Sequence, residues 1–201
     1  MIAAPPSTPS LLYTPPSYVE PLPLADMFPK SQPVELELGA GDGSFLAQWA
    51  AAHSERNFIG VERLLGRIRK LDRKGRRAGL TNLKLIRLEA AYTLEYLIPR
   101  QSISALHIYF PDPWPKKKHR RHRLINTRFP DVAKQALAPG GMIYLRTDDA
   151  DYFAQMQEVF AARDDFGAVE TPTELRAVVT DFEREFNQQG TPTLRAAYQL
   201  A

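Results

Sequence analysis

The segment Val34-Glu-Leu-Glu-Leu38 runs without a linker into Gly39-Ala-Gly41-Asp-Gly43 and then into an apolar helical stretch through Phe45, Leu46, Trp49 and Ala50. A buried strand that meets a helix across three alternating glycines leaves few folds open. Residues without a Cβ permit a tight turn there and let a ligand approach backbone at a helix N-terminus. The alternation then continues. Strands are predicted at Asn57–Glu62, Leu83–Leu88, Ala105–Phe110 and Met142–Arg146, the last preceded by the turn Ala138-Pro-Gly-Gly141. Helices are predicted from the basic stretch to Ala78, over residues 91–98, over Phe129–Leu137 and from Asp149 to Ala162. The less regular tail, Phe166–Leu200, is expected to add the last strands. Strands and helices alternating at this spacing imply an α/β, Rossmann-like fold, a mostly parallel sheet with helices on both faces.

Nine of the seventeen prolines fall in residues 1–33. Proline lacks a backbone donor and disfavours helix for its predecessor, so this part reads as an extended arm preceding a domain at 34–201. Leu11, Leu12, Tyr13, Tyr18 and Phe28 give the arm apolar groups to pack with, whereas residues 1–10 read as a flexible leader. The chain has no cysteine, which excludes disulfides, cysteine-ligated zinc and thiol chemistry. No basic segment followed by an apolar one opens the chain, and no run of ~18 apolar residues occurs. A cytoplasmic protein without a membrane span is expected. The net charge is only +3, but eight Lys/Arg lie between Arg63 and Arg77 and six between Lys116 and Arg123. Two dense basic patches on a balanced chain are the footprint of a polyanion binder, a pair of solvated helix faces being the other reading.

The glycine spacing narrows the ligand. A dinucleotide fold calls for G-x-G-x-x-G, whereas this turn reads G-x-G-x-G with Ser44 next, which disfavours a nicotinamide dehydrogenase. Glu62, at the end of the second predicted strand, can accept hydrogen bonds from both hydroxyls of a ribose. Glu37 is placed for a positively charged ligand group, or else is a solvated carboxylate at a strand end.

After the fourth predicted strand comes Phe110-Pro-Asp112-Pro-Trp114-Pro-Lys116-Lys-Lys-His119. Alternating prolines fix the backbone and so aim Asp112, Trp114 and Lys116. This segment closely resembles the signature of the bacterial tRNA (guanine-N7)-methyltransferase family. The resemblance extends over about 170 residues from Val34, through E-L-G-A-G-D-G, G-V-E, R-T-D after the fifth strand, T-D-F-E and the closing Gly190-Thr-Pro192. It implies a seven-stranded class I methyltransferase domain, S-adenosylmethionine as donor, and as acceptor the tRNA variable-loop guanine at position 46. Residue by residue, it places cofactor contacts on Glu37, Gly39, Glu62, Glu89 and Asp112. Substrate contacts fall on Lys116, Asp148, Thr180 and Glu183, with Asp112 as the catalytic residue. Glu89 stands where Asp or Asn is usual.

Guanine N7 has a free lone pair and no proton, so its methylation needs no general base. Positioning and electrostatics carry such a reaction, and no metal is expected. Trp114 either stacks on a base or packs under its loop. Two other readings compete: methylation of another RNA or protein acceptor, and a non-catalytic RNA-binding protein that keeps the fold. Monomer and homodimer are both compatible with the sequence.

Overall fold

A computed structural model describes residues 9–201, so the leader expected over residues 1–10 falls almost wholly outside the described residues. A four-residue helix α1 (Leu24–Met27) precedes β1 (Val34–Leu38). Then follow α2 (Leu46–Ala52), β2 (Asn57–Val61), α3 (Leu65–Arg77) and β3 (Leu83–Ile86). A short α4 (Ala90–Tyr92) widens into a π turn over Thr93–Leu97 and leads to β4 (Ile103–Tyr109). After a 3-10 segment at Lys117–His122 come α5 (Phe129–Ala136), β5 (Leu137–Thr147) and α6 (Ala150–Ala161). The tail holds β6 (Phe166–Val169), α7 (Thr173–Ala177), α8 (Asp181–Gln188) and β7 (Leu194–Leu200).

The seven strands form one sheet in the order β3-β2-β1-β4-β5-β7-β6. Its first five strands are parallel, while β7 pairs antiparallel with both β5 and β6. Strand order reverses between β1 and β4, and the crevice at such a switch point is where open α/β sheets bind ligands. Each face carries a core. On one, Leu36, Leu38, Ile59, Val61, Leu106, Ile108, Ile143 and Leu145 meet Leu97, Phe129, Tyr152 and Phe160. On the other, Phe58, Leu85 and Tyr109 pack against Phe45, Leu46, Trp49, Ile68, Leu71 and Leu175. Helices therefore cover both faces, as the alternation predicted.

Two expected boundaries moved for physical reasons. The Ala138-Pro-Gly-Gly141 turn is absorbed into a longer β5, where Gly140 takes φ +74° and the pairing with β4 shifts register. The third strand stops at Ile86, leaving Leu88 in the loop that follows.

The proline-rich arm is anchored along its described length. Leu85 N–H donates to the Leu11 carbonyl (2.9 Å) and Tyr13 N–H to the Leu85 carbonyl (2.7 Å), so the arm adds a short parallel bridge outside β3. An uncovered sheet edge is a template for unwanted pairing, and this contact covers it. Asp72 on α3 fixes the register by accepting from Leu11 N–H (2.8 Å) and the Ser10 hydroxyl (3.1 Å). Leu11, Leu22, Met27 and Phe28 are all buried. Asp72→Ala should leave the buried Leu11 amide without its acceptor, at a cost of about 1–3 kcal/mol. Chemical denaturation with hydrogen exchange at Tyr13 and Leu85 checks this. Unchanged stability and protection would mean that the arm does not depend on Asp72.

Candidate cofactor and substrate cleft

At the C-terminal ends of β1 to β4 lies a cleft of about 530 Å³. Its walls are Leu38 and Gly39 after β1, Val61 to Leu64 after β2, Leu88 to Ala90 after β3, and Tyr109 to Asp112 after β4, with Arg67, Trp114, His122 and Leu124 at its margins. Of the residues singled out from the sequence, Gly39, Glu62, Glu89 and Asp112 line this one cavity, while Glu37, Lys116, Asp148, Thr180 and Glu183 do not.

The glycine turn forms because its backbone goes where side chains rarely allow. Gly39 takes φ +79° with open space at its Cβ position, so the wall there is bare peptide. Gly43 takes φ +77°, and a Cβ on it would lie 2.1 Å from the Leu71 side chain on α3. Glu62 braces the turn: its carboxylate accepts from Gly41 N–H (3.1 Å) and Leu64 N–H (2.7 Å). Each carboxylate oxygen has a second lone pair, so both can still accept from a ligand hydroxyl.

Glu37 lies one residue inside Leu38 and is buried, which removes the solvated reading. Its Oε2 has no hydrogen-bond partner. Burial pushes its carboxyl up to about 8; Arg146 pulls it down again, while Glu62 and Asp42 push it further up. A buried acid of this kind is suited to an incoming cation. Glu35, on the same face of β1, is satisfied instead. It accepts from Trp49 Nε1 (2.9 Å) and Arg56 (2.5 Å) and bonds His107 Nε2 (2.8 Å). Burial would raise this carboxyl, but the His107, Trp49 and Arg56 contacts together hold it down at about 2. Glu89 caps α4, its two oxygens accepting from Ala91 N–H (3.0 Å) and Tyr92 N–H (2.7 Å).

Asp112 is exposed at the cleft mouth, 3.9 Å from Arg63. Phe110 and Trp114, on either side of it, hold φ of +51° and +44°. Left-handed backbone at bulky residues costs energy and persists only where surrounding structure enforces it, most often at functional sites. Trp114 is partly exposed and rests against His119 and His122, with ring centroids 5.9 and 5.2 Å away.

Lys116 is exposed at the start of the 3-10 segment, and Asp148 is half-buried just past β5. Thr180 and Glu183 form a capping box at the start of α8. The Glu183 carboxylate is wholly buried, held by Arg146 (2.8 Å), Arg195 (2.7 Å) and the Thr180 amide (2.9 Å). Arg146 also donates to the carbonyls of Val178 and Leu175 and lies over the Tyr109 ring, 4.3 Å from its centroid. Phe182 on α8 stacks on Phe110, and Lys74 links Asp42 of the glycine turn (3.2 Å) to Asp181 (3.9 Å). Thus α8 is brought to the same end of the sheet as the cleft. Sequence reasoning missed Arg146, which stood inside R-T-D as an ordinary strand residue; a lone arginine in an otherwise apolar strand was the available signal.

A family model described as "Putative methyltransferase" matches residues 31–196. A protein of Alkalilimnicola ehrlichii, named tRNA (guanine-N(7)-)-methyltransferase, is 34% identical over 90% of this chain and 75% of its own length. A relative of the same name from Nitrosococcus oceani is 36% identical over 85% of this chain and 72% of its own. The chain belongs to the tRNA (guanine-N7)-methyltransferase family. It spans as little as 55% of some relatives, such as that of Chromohalobacter salexigens. In fold it resembles the 16S rRNA methyltransferase KamB (TM-score 0.58, 16% identity, 85% of this chain and 88% of that one). It also resembles an rRNA methylase from Streptococcus thermophilus (TM-score 0.58, 16% identity, 84% and 87%). This is the Rossmann-like class I methyltransferase fold that the sequence implied, and S-adenosylmethionine is the methyl donor of such a family.

The Glu37 carboxyl yields a pH prediction. A carboxyl with a folded pKa of about 8 against a usual 4.5 contributes stability that is complete below 4.5 and lost as pH rises through about 8. Glu37→Gln should therefore lose less stability than the parent between about pH 5 and pH 8.5. Thermal melts of both proteins across that range check it; parallel curves would mean that Glu37 is not an unpaired buried acid.

Proposed function

We propose that this chain transfers a methyl group from S-adenosylmethionine to N7 of a guanine in tRNA, the variable-loop guanine at position 46, without a metal. One observation carries the reading. The proline-fixed loop bearing Asp112 bounds the same cleft as the bare peptide at Gly39 and the Glu62 carboxylate.

The residues present fit the donor. Glu62 offers two acceptors to its ribose and Glu89 a carboxylate at the adenine end, while Glu37, one residue inside the cleft-lining Leu38, has an Oε2 free of hydrogen-bond partners for the donor's ammonium group. Bound there, the donor supplies an electrophilic methyl group on a sulfonium. The protein's own task is to orient the guanine ring, since N7 needs no deprotonation. Asp112 holds the guanine and stabilises the positive charge that develops on its imidazole ring. Asp148 is a second acceptor for the guanine edge, and Lys116 meets phosphate as a point charge. Thr180 and Glu183 serve the substrate through the α8 start that they fix, their side chains being committed to the capping box and to Arg146 and Arg195.

Exposed Arg67, Arg69, Lys70, Arg73 and Arg77 on α3, with Lys117, Lys118 and Arg121 beside the cleft, provide the sequence-independent attraction for RNA. Lys74 and Arg76 face acids on their own side of the molecule. Among the described residues no helix is long and apolar enough to cross a membrane, and the cytoplasm is the compartment in which this substrate is met.

Incubation with labelled S-adenosylmethionine and unmodified tRNA, followed by nucleoside analysis, should yield 7-methylguanosine. Asp112→Ala should lower the single-turnover rate far more than tRNA affinity, because phosphate contacts dominate binding. Label on another nucleoside, or on protein alone, would overturn the acceptor. Lost binding with a normal single-turnover rate would make Asp112 a docking residue.

A further inference from the structure

We propose that Arg123 is a positioning residue that clamps the Asp112 loop to α6, rather than an RNA contact; this rests on the reading of the cleft given above. Arg123 closes the second basic run, yet it is 1% exposed. Its guanidinium is spread over three acceptors in three directions. Nε donates to the Pro113 carbonyl (2.7 Å), one terminal nitrogen to Gln155 Oε1 (2.8 Å) and the other to Asp151 Oδ2 (2.6 Å). Beneath it lies the Tyr152 ring, 4.7 Å from the guanidinium carbon. Two further bonds tie the chain just past Arg123 to the same helix: Ile125 N–H donates to the Tyr152 hydroxyl (2.9 Å) and Gln155 donates to the Ile125 carbonyl (2.8 Å).

The carbonyl that Arg123 grips belongs to the peptide joining Pro113 to Trp114, next to a tryptophan at φ +44°. The loop has few means of holding that shape itself, because the prolines at 111, 113 and 115 have no N–H to donate. A buried guanidinium making a fork of charge-assisted bonds supplies the missing constraint. At its other end the fork holds Asp151, Tyr152 and Gln155 in the first turns of α6, whose N-cap is Asp149. Asp148 immediately precedes that cap. Arg123 thereby sets the Asp112 segment against the Asp148 segment, two strands' ends that no shared backbone hydrogen bond joins beyond Phe110 N–H to the Arg146 carbonyl. Lysine would keep the charge but lose the fork, since a single ammonium cannot reach three diverging acceptors with planar geometry.

Arg123→Lys and Arg123→Gln separate the roles when compared with a variant neutralised at the exposed Lys117, Lys118 and Arg121. Single-turnover methylation at saturating tRNA, tRNA affinity over a salt series, and acrylamide quenching of tryptophan emission are measured for each. Trp49 is buried, so quenching reports on Trp114. Both Arg123 variants should lose roughly ten- to a hundredfold in single-turnover rate, with tRNA affinity and salt slope near those of the parent and with increased quenching. The triple variant should do the reverse: weaker tRNA binding with a flatter salt slope, and unchanged quenching. Asp151→Ala, which removes one arm from the exposed side, should give a smaller loss of rate in the same direction, and it keeps the test open if the Arg123 variants fold poorly.

The proposal is overturned if Arg123→Lys restores the parent rate, if the Arg123 variants flatten the salt slope, or if they only lower the melting temperature. Should the parent itself form no 7-methylguanosine, the proposed function fails, and quenching alone still decides whether Arg123 holds the loop.

Discussion

Charge buried on one face of a parallel sheet organises this molecule. β1 is enclosed on both sides, yet it carries Glu35 and Glu37 beneath the α2 and α3 layer. Bringing a carboxylate into such surroundings costs several kcal/mol unless it is paired and hydrogen-bonded. Glu35 meets that condition within the protein, through His107, Trp49 and Arg56, and so stitches β1 to β4 and to α2. Glu37, two residues nearer the strand's end, does not, and its unpartnered oxygen lies just inside the glycine turn. The contrast divides one strand into a half whose carboxylate is satisfied and a half whose carboxyl oxygen has no partner.

The same face continues outward through Tyr109 to Arg146. Arg146 gathers the tail, holding Glu183 and the carbonyls of Leu175 and Val178, while its cation rests on Tyr109 at the cleft wall. Breaking a buried pair of this kind leaves an uncompensated charge, a loss of about 3–5 kcal/mol. Helix α8 is thus secured to the strand beside the cleft, and Phe182 against Phe110 completes that contact. The cleft wall and the start of α8 thus share one polar scaffold.

The parallel strands, the helices on both faces and the glycine turn were legible because they follow from local rules: periodicity, proline, and the absence of a Cβ. Gly39, Glu62, Glu89 and Asp112 were legible because strand ends in an open α/β sheet converge on one crevice. What stayed hidden depends on pairing across long sequence distances. Nothing near Arg123 in the chain shows that its partners are Gln155 and Asp151, so it read as one more surface cation. Glu183 read as a group for substrate because its arginine partners lie 37 and 12 residues away. The arm's bridge to Leu85 was equally invisible, since proline-rich composition speaks to what a segment cannot form rather than to what it rests against.

Burial raises the Glu37 carboxyl to about 8 and leaves its Oε2 without a hydrogen-bond partner, and a cationic ligand paired with it would displace the proton. Calorimetry of S-adenosylmethionine binding at about pH 7, repeated in buffers of different ionisation enthalpy, measures that displacement most directly. With a carboxyl at about 8 in the free protein, pairing with the donor's ammonium group should expel close to one proton, about what linkage allows. The observed enthalpy should then vary with the buffer, and Glu37→Gln should remove that dependence. A binding enthalpy independent of buffer for the parent protein, or an unchanged dependence in Glu37→Gln, would contradict the account.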